Sequence, residues 1–109
     1  MKRYCLALDL VDDPAMIAEY ERCHTAIWPE IKESILNAGI TGMQIYRLAD
    51  RLFMIMETDD AFSFEKKAAM DEANPKVQEW ERLMWKYQKA LPQARPHEKW
   101  ILLDKIFEL

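Results

Sequence analysis

Twice in this chain a side-chain acceptor stands directly before a proline, at Asp13-Pro14 and at Asn74-Pro75, and an amphipathic run follows each time. Proline pre-sets the backbone of a first helical residue, while Asp or Asn caps the amides left unpaired there. Two helix starts are therefore placed, and what surrounds them has a different period. Arg3 to Leu10 alternates, with Tyr4, Leu6, Leu8 and Leu10 on one side and Cys5, Ala7 and Asp9 on the other, which is strand patterning. Gly42 to Leu48 and Leu52 to Thr58 read as two more strands, joined through a short polar turn at Ala49, Asp50 and Arg51. The first helix is expected to reach Trp28, to kink or break and restart at Pro29, and to stop at Gly39. A further helical region is expected from Asp59-Asp60. The helix opened at Pro75 carries Val77, Trp80, Met84, Tyr87 and Leu91 at three- and four-residue steps, Pro92 to Pro96 is a connection, and Trp100 to Phe107 is a closing strand.

The resulting order is β-α-β-β-α-β, an α+β chain of the ferredoxin-like kind with helices on one face of an antiparallel sheet. Its length of 109 residues is one domain's worth. Met, Phe and Ile fall on both parities of Leu52 to Thr58, so both faces of the sheet are expected to be covered, the second by another copy in a homodimer.

Composition narrows function. Two glycines, Gly39 and Gly42, cannot supply a glycine-rich phosphate loop. A net charge of -4 argues against nucleic acid or anionic lipid as partner and leaves a neutral small molecule as the better fit. Cys5 and Cys23 sit in apolar patterns rather than in a disulfide framework, and Met1 to Tyr4 runs straight into a strand without an apolar leader region. The expected compartment is the cytoplasm, with no membrane segment. With His24 and His97 as the sole histidines and no ligand spacing around them, no metal site is expected. Cys23 and His24, as helix neighbours, point apart and form no nucleophilic dyad.

His24 is the residue that breaks pattern. On a helical wheel it falls inside the stripe of Met16, Tyr20, Cys23, Ile27 and Ile31, where a leucine would be expected. A core histidine bonded to a backbone carbonyl is one reading. The other rests on Tyr20 four residues before and Trp28 four residues after, which would set a phenol, an imidazole and an indole along one ridge. A polar group between aromatic plates suits a sugar, whose apolar ring face stacks while its hydroxyls bond. Trp80 lies in the stripe of the last helix as a core anchor, and Trp85 falls off that stripe and could face a partner. The acidic pairs Asp12-Asp13 and Asp59-Asp60 read as helix caps, and His97 as an exposed loop residue.

The run Glu19 to Ile31 (EYERCHTAIWPEI) resembles the Y-x-x-x-H-x-x-I-W-P-E segment of the L-rhamnose mutarotase family. Met43 to Leu48, Arg51 to Glu57, the Q-x-W segment at Trp80 and the closing Ile106 to Leu109 follow that family in order, so the resemblance spans nearly the whole chain. It implies a dimeric ferredoxin-like α/β barrel that interconverts the α and β anomers of a 6-deoxyhexose without a cofactor. The histidine matching His24 would be the proton donor and the tyrosine matching Tyr20 a substrate-binding residue. Rhamnose-type members carry an aromatic residue after the tryptophan matching Trp80 and another where Met43 stands. This chain has Glu81 and Met43 there. Those two positions, with Trp80 and Trp28, are the expected substrate contacts, and L-fucose becomes as plausible a monosaccharide as L-rhamnose. Histidine suits the chemistry because its reference pKa of about 6.5 lets it give and take a proton near neutrality. Two other readings share the architecture: a monooxygenase or haem-binding protein of the same dimeric kind, and a non-catalytic dimer that binds a metabolite.

Overall fold

In the computed structural model, which describes residues 1–109, the alternation of the first strand becomes a two-sided surface. Strand β1 (Lys2–Leu10) turns Leu6, Leu8 and Leu10 to the interior, and β3 (Arg51–Thr58) lies antiparallel to it with Leu8 opposite Leu52 and Leu6 opposite Met54. Strand β2 (Ile40–Leu48) pairs with the far side of β3, shifted by an irregularity between Ile40 and Gly42. The β2–β3 connection is a two-residue turn, Ala49 and Asp50, rather than the expected three, because Leu48 already pairs with Arg51. Ala49 takes a φ of 51° to make it.

Helices α1 (Pro14–Cys23), α2 (Pro29–Asn37), α3 (Phe64–Glu72) and α4 (Pro75–Met84) complete the chain. The Asp13 carboxylate accepts from the amides of Ala15 and Met16 at 2.9 and 3.2 Å, and the Asn74 side chain accepts from Lys76 at 3.0 Å, so both cap-and-proline signals do the work read from them. The Ala38 cap and Gly39, at a φ of 96°, end α2. That φ is one other residues rarely adopt, and a β-carbon on Gly39 would also lie 2.8 Å from the Asp59 carboxylate, which would have to move.

Four expected boundaries move. The helix does not begin at Asp59-Asp60: the Asp59 amide donates to the Gly39 carbonyl at 2.9 Å, Phe62 is buried, and α3 starts only after Ser63, whose hydroxyl caps Lys66. The first helix ends at Cys23, well short of Trp28. The last helix stops at Met84 with Trp85 as its cap, short of the expected Tyr87 and Leu91, because the chain turns there to set Gln88 and Lys89 on the edge of β1. The closing strand is the largest change. Only Ile101–Leu102 (β5) pairs with β1, with Leu103 adding one bond to the Cys5 carbonyl at 2.8 Å. The same edge of β1 also takes Gln88–Lys89 (β4), so that Leu10 faces Gln88 and Asp9 faces Lys89. Between these two short pieces the chain leaves the ladder and returns. Pro92 and Pro96 fall in this stretch and cannot donate to a neighbouring strand, which is the physical reason for the excursion.

The sheet order is β2-β3-β1-β4, with β5 beside β4 on the β1 edge, and every pairing is antiparallel. This is the expected ferredoxin-like α+β arrangement. Its interior face forms two apolar clusters. One gathers Leu10, Tyr20, Ile31, Leu52, Val77, Trp80, Met84 and Tyr87, and the other centres on Leu6, Ile40, Met54, Met56 and Phe62.

Candidate active site

Where α1 stops, the reason is a side chain. In a continuing α-helix the Tyr20 carbonyl would take the amide of residue 24, but here it accepts from the His24 ring at Nδ1, 2.8 Å away. The His24 amide closes instead on Glu21 at 3.1 Å, and the Thr25 hydroxyl donates to Arg22 at 2.7 Å. His24 is thus the C-cap of α1. A carbonyl can only accept, so Nδ1 must carry the proton and the neutral ring presents an unprotonated Nε2. Nε2 has no protein partner. It can take a proton and hand it on, which is what acid-base chemistry at a sugar needs.

His24 lines a cavity of about 180 Å³ between the helices and the sheet. At roughly 10–15 Å³ for each water-sized body, that is room for one monosaccharide rather than a longer saccharide. Tyr20, Met43, Trp80 and Glu81 share its wall, so five of the six expected site residues meet at one place. The His24 ring lies 4.4 Å from the Tyr20 ring and 5.9 Å from that of Trp80, the latter edge-on at 69°. Trp28 is the exception. Because α1 ends at Cys23, the expected continuous ridge does not exist, and Trp28 caps α2 outside the cavity wall. It meets Trp80 edge-on at 5.1 Å, with the Lys76 ammonium 5.8 Å over its ring. Trp28 props Trp80, and Trp80 faces His24.

The excursion between β4 and β5 adds wall residues that the sequence analysis did not single out. Lys99 pairs with the Glu81 carboxylate at 2.5 Å, donates to the Glu81 carbonyl at 3.0 Å and stands 4.7 Å from the Trp85 ring. It straps the excursion to α4 and holds Glu81 at the rim, and its ammonium lies over the ring of Trp85, which stays 39% exposed off the α4 stripe. Trp100 follows it into the wall, and Gln88 of β4 enters from the sheet side. None of the three had a local signal, since their approach depends on where the chain leaves and rejoins β1. His97 is exposed, as expected, in a turn with a φ of 76°.

Tyr20 is 3% exposed. Burial pushes its phenol up to about 12, with the Gln88 side chain pulling the other way and the Glu81 charge adding to the rise. The phenol therefore stays neutral at physiological pH and offers a hydrogen-bond donor, not a base. A sign follows for stability. The unfolded chain loses this proton near the reference value of about 10, so the contribution is complete below about pH 10 and is lost as pH rises toward 12, a total of roughly 3 kcal/mol. Denaturant unfolding of wild type and Tyr20→Phe across pH 9 to 12 should show the steeper alkaline loss in wild type only; equal slopes would refute the buried-phenol assignment.

Comparison with known proteins bears on the family and the fold. The L-rhamnose mutarotase family model matches residues 3–109. An L-fucose mutarotase of Xanthomonas campestris is 47% identical, over all of this chain and 89% of its own length. An L-rhamnose mutarotase of Phocaeicola vulgatus is 33% identical over 88% of this chain and 85% of its own. Among solved structures, an L-rhamnose mutarotase from Formosa agariphila superposes with a TM-score of 0.74 over 100% of this chain and 99% of its own, at 18% identity. Tetracenomycin F2 cyclase from Streptomyces glaucescens superposes at 0.68 over the same shares, with 16% identity, a likeness of fold alone. With a family match that runs from the first strand to the last residue, the chain belongs to the L-rhamnose mutarotase family and is a sugar mutarotase.

Proposed function

We propose that the protein interconverts the α and β anomers of a 6-deoxyhexose, with L-fucose preferred over L-rhamnose, and that His24 carries the proton. The observation that carries this reading is the unpartnered Nε2 of His24 in the cavity wall, its tautomer set by the Tyr20 carbonyl. Ring opening breaks the C1–O5 bond, with the electron pair and a proton going to O5, while the O1 proton leaves and C1–O1 becomes a carbonyl. As imidazolium, His24 gives the Nε2 proton to O5. The neutral ring left behind takes the O1 proton. The aldehyde turns about C1–C2 and the same steps in reverse close it on the other face, so no net proton, electron or cofactor is consumed. Tyr20, neutral and buried, holds a sugar oxygen by donation, and Trp80 supplies an apolar plate for the ring.

The preference for L-fucose is supported by Glu81 and Met43, which the family resemblance sets against aromatic residues of rhamnose-type members, and by the 47% identical L-fucose mutarotase. A carboxylate held by Lys99 accepts hydrogen bonds from hydroxyls that an indole would only cover. L-Fucose and L-rhamnose differ in hydroxyl orientation at C2 and C4, which such an acceptor can tell apart. Met43→Tyr combined with Glu81→Trp should shift the ratio of L-fucose to L-rhamnose exchange rates toward L-rhamnose by about tenfold. An unchanged ratio would remove both positions from sugar selection.

The active form is proposed to be a homodimer built on the outer face of the sheet. In β3 the inward residues Met54 and Met56 are buried by the chain itself, while Phe53 is 37% exposed and, on the same outer side of β2, Tyr46 is 54% and Leu48 80% exposed. An apolar row of this kind on a sheet face is what a second copy would cover. Sedimentation should find a two-chain species at micromolar concentration, and a stable monomer there would contradict the dimer. No helix is long and apolar enough to cross a membrane.

A further inference from the structure

Gln88 holds the one buried side-chain polar atom in the molecule that has no hydrogen-bond partner, its amide oxygen Oε1. The residue is 7% exposed. It sits on β4 opposite Leu10, which is completely buried, and paired residues of neighbouring strands project to the same side of the sheet. That side is the interior, and Gln88 lines the cavity with His24 and Tyr20. Tyr20 and Gln88 share this wall, and the Gln88 side chain offsets part of the effect of burial on the Tyr20 phenol.

An apolar residue of the same shape would fill this place without leaving a buried acceptor unpaired, and unpaired buried acceptors are rare because they are costly. The cost is removed when a ligand donor arrives in the cavity. We propose that Gln88 is a sugar-binding residue whose amide oxygen accepts a hydrogen bond from one hydroxyl of the substrate, while the Tyr20 phenol donates to the oxygen of that same hydroxyl. Side by side, an acceptor and a neutral donor match a group that both gives and receives a hydrogen bond. A hydroxyl does both. A carboxylate or an ether oxygen cannot give, and an ammonium cannot receive, so the pair reads a neutral sugar oxygen and rejects charged analogues. This inference rests on the proposed 6-deoxyhexose reaction and adds to it a residue on the sheet side of the cavity.

The test is Gln88→Leu, which keeps the volume and removes the acceptor. Anomer exchange of L-fucose should show an apparent KM raised about tenfold, with the rate at saturating sugar changed less. The melting temperature should be unchanged or higher, whereas a residue that merely supported Tyr20 would lower it. Gln88→Met, closer in length, is measured beside it, and a melting temperature lowered in both variants would make Gln88 a structural support and overturn the assignment. Four analogues are then compared as competitive inhibitors of wild type and variant: 1,5-anhydro-L-fucitol and the 2-, 3- and 4-deoxy forms of L-fucose. One of them should bind wild type about tenfold more weakly than the parent sugar and lose that penalty in the variant, which identifies the hydroxyl that Gln88 reads. An unchanged KM, or a raised KM with the same analogue pattern as wild type, would overturn the assignment. Wild-type protein that exchanges no 6-deoxyhexose anomers would instead overturn the reaction on which it depends, and this role with it.

Discussion

His24→Asn should leave a folded protein whose anomer exchange rate has fallen about 10²-fold or more, the usual worth of a positioned acid or base. That loss is roughly 2.7 kcal/mol of barrier. The fold should survive because His24 is half-buried at a helix end, not inside a helix, and asparagine is well tolerated near helix C-termini. What asparagine cannot do is take a proton at Nε2 and pass it on. The bond from Nδ1 to the Tyr20 carbonyl is also lost, at a cost of about 1 kcal/mol in stability, so the variant should unfold slightly earlier in denaturant while losing most of its activity. Circular dichroism with exchange NMR on the same sample separates the two effects. A folded His24→Asn protein that exchanges anomers at the wild-type rate would make His24 a capping residue and nothing more.

Trp80→Ala should have the largest effect on stability, about 3–5 kcal/mol, the range for removing a buried tryptophan. Trp80 is 8% exposed at the centre of the larger apolar cluster. It meets Trp28 and His24 edge-on at 5.1 and 5.9 Å, and alanine forfeits both aromatic contacts and opens space beside the cavity. A small domain has only about 5–15 kcal/mol in total, so the variant should be partly unfolded at growth temperature. Trp80→Phe keeps a ring against Trp28 and should lose much less. Guanidinium unfolding gives both values, and a loss under about 1 kcal/mol for alanine would show that Trp80 is not packed as described.

The parts of the fold legible in the sequence were those that short-range chemistry dictates. Asp13-Pro14 and Asn74-Pro75 capped helices because an acceptor and a proline act on the nearest amides. The alternation in β1 selected the buried face because period-two side chains cannot do otherwise, whereas β3, apolar on both parities, left its inward face to be chosen by its pairing with β1. His24 stood out as a titratable group in an apolar stripe, whereas Met43 and Glu81 came into view only through resemblance to a family. Other features depended on partners far away in the chain. The end of α1 is decided by an imidazole reaching a carbonyl, which no helix propensity encodes. Strand β4 is two residues long, too short for a period to exist, and it forms because the edge of β1 is available to it. Gln88, Lys99 and Trp100 reach the cavity through that interrupted edge, so their place is a property of the sheet and not of any local pattern.

Saturation-exchange NMR of anomeric protons, run with L-fucose, L-rhamnose and common hexoses at equal concentration, tests the central claim most directly. Adding the protein should raise the α-to-β exchange rate of L-fucose well above that in buffer, raise that of L-rhamnose less, and leave glucose near the buffer rate. Exchange of both 6-deoxy sugars at the buffer rate, in the presence of folded protein, would contradict the account.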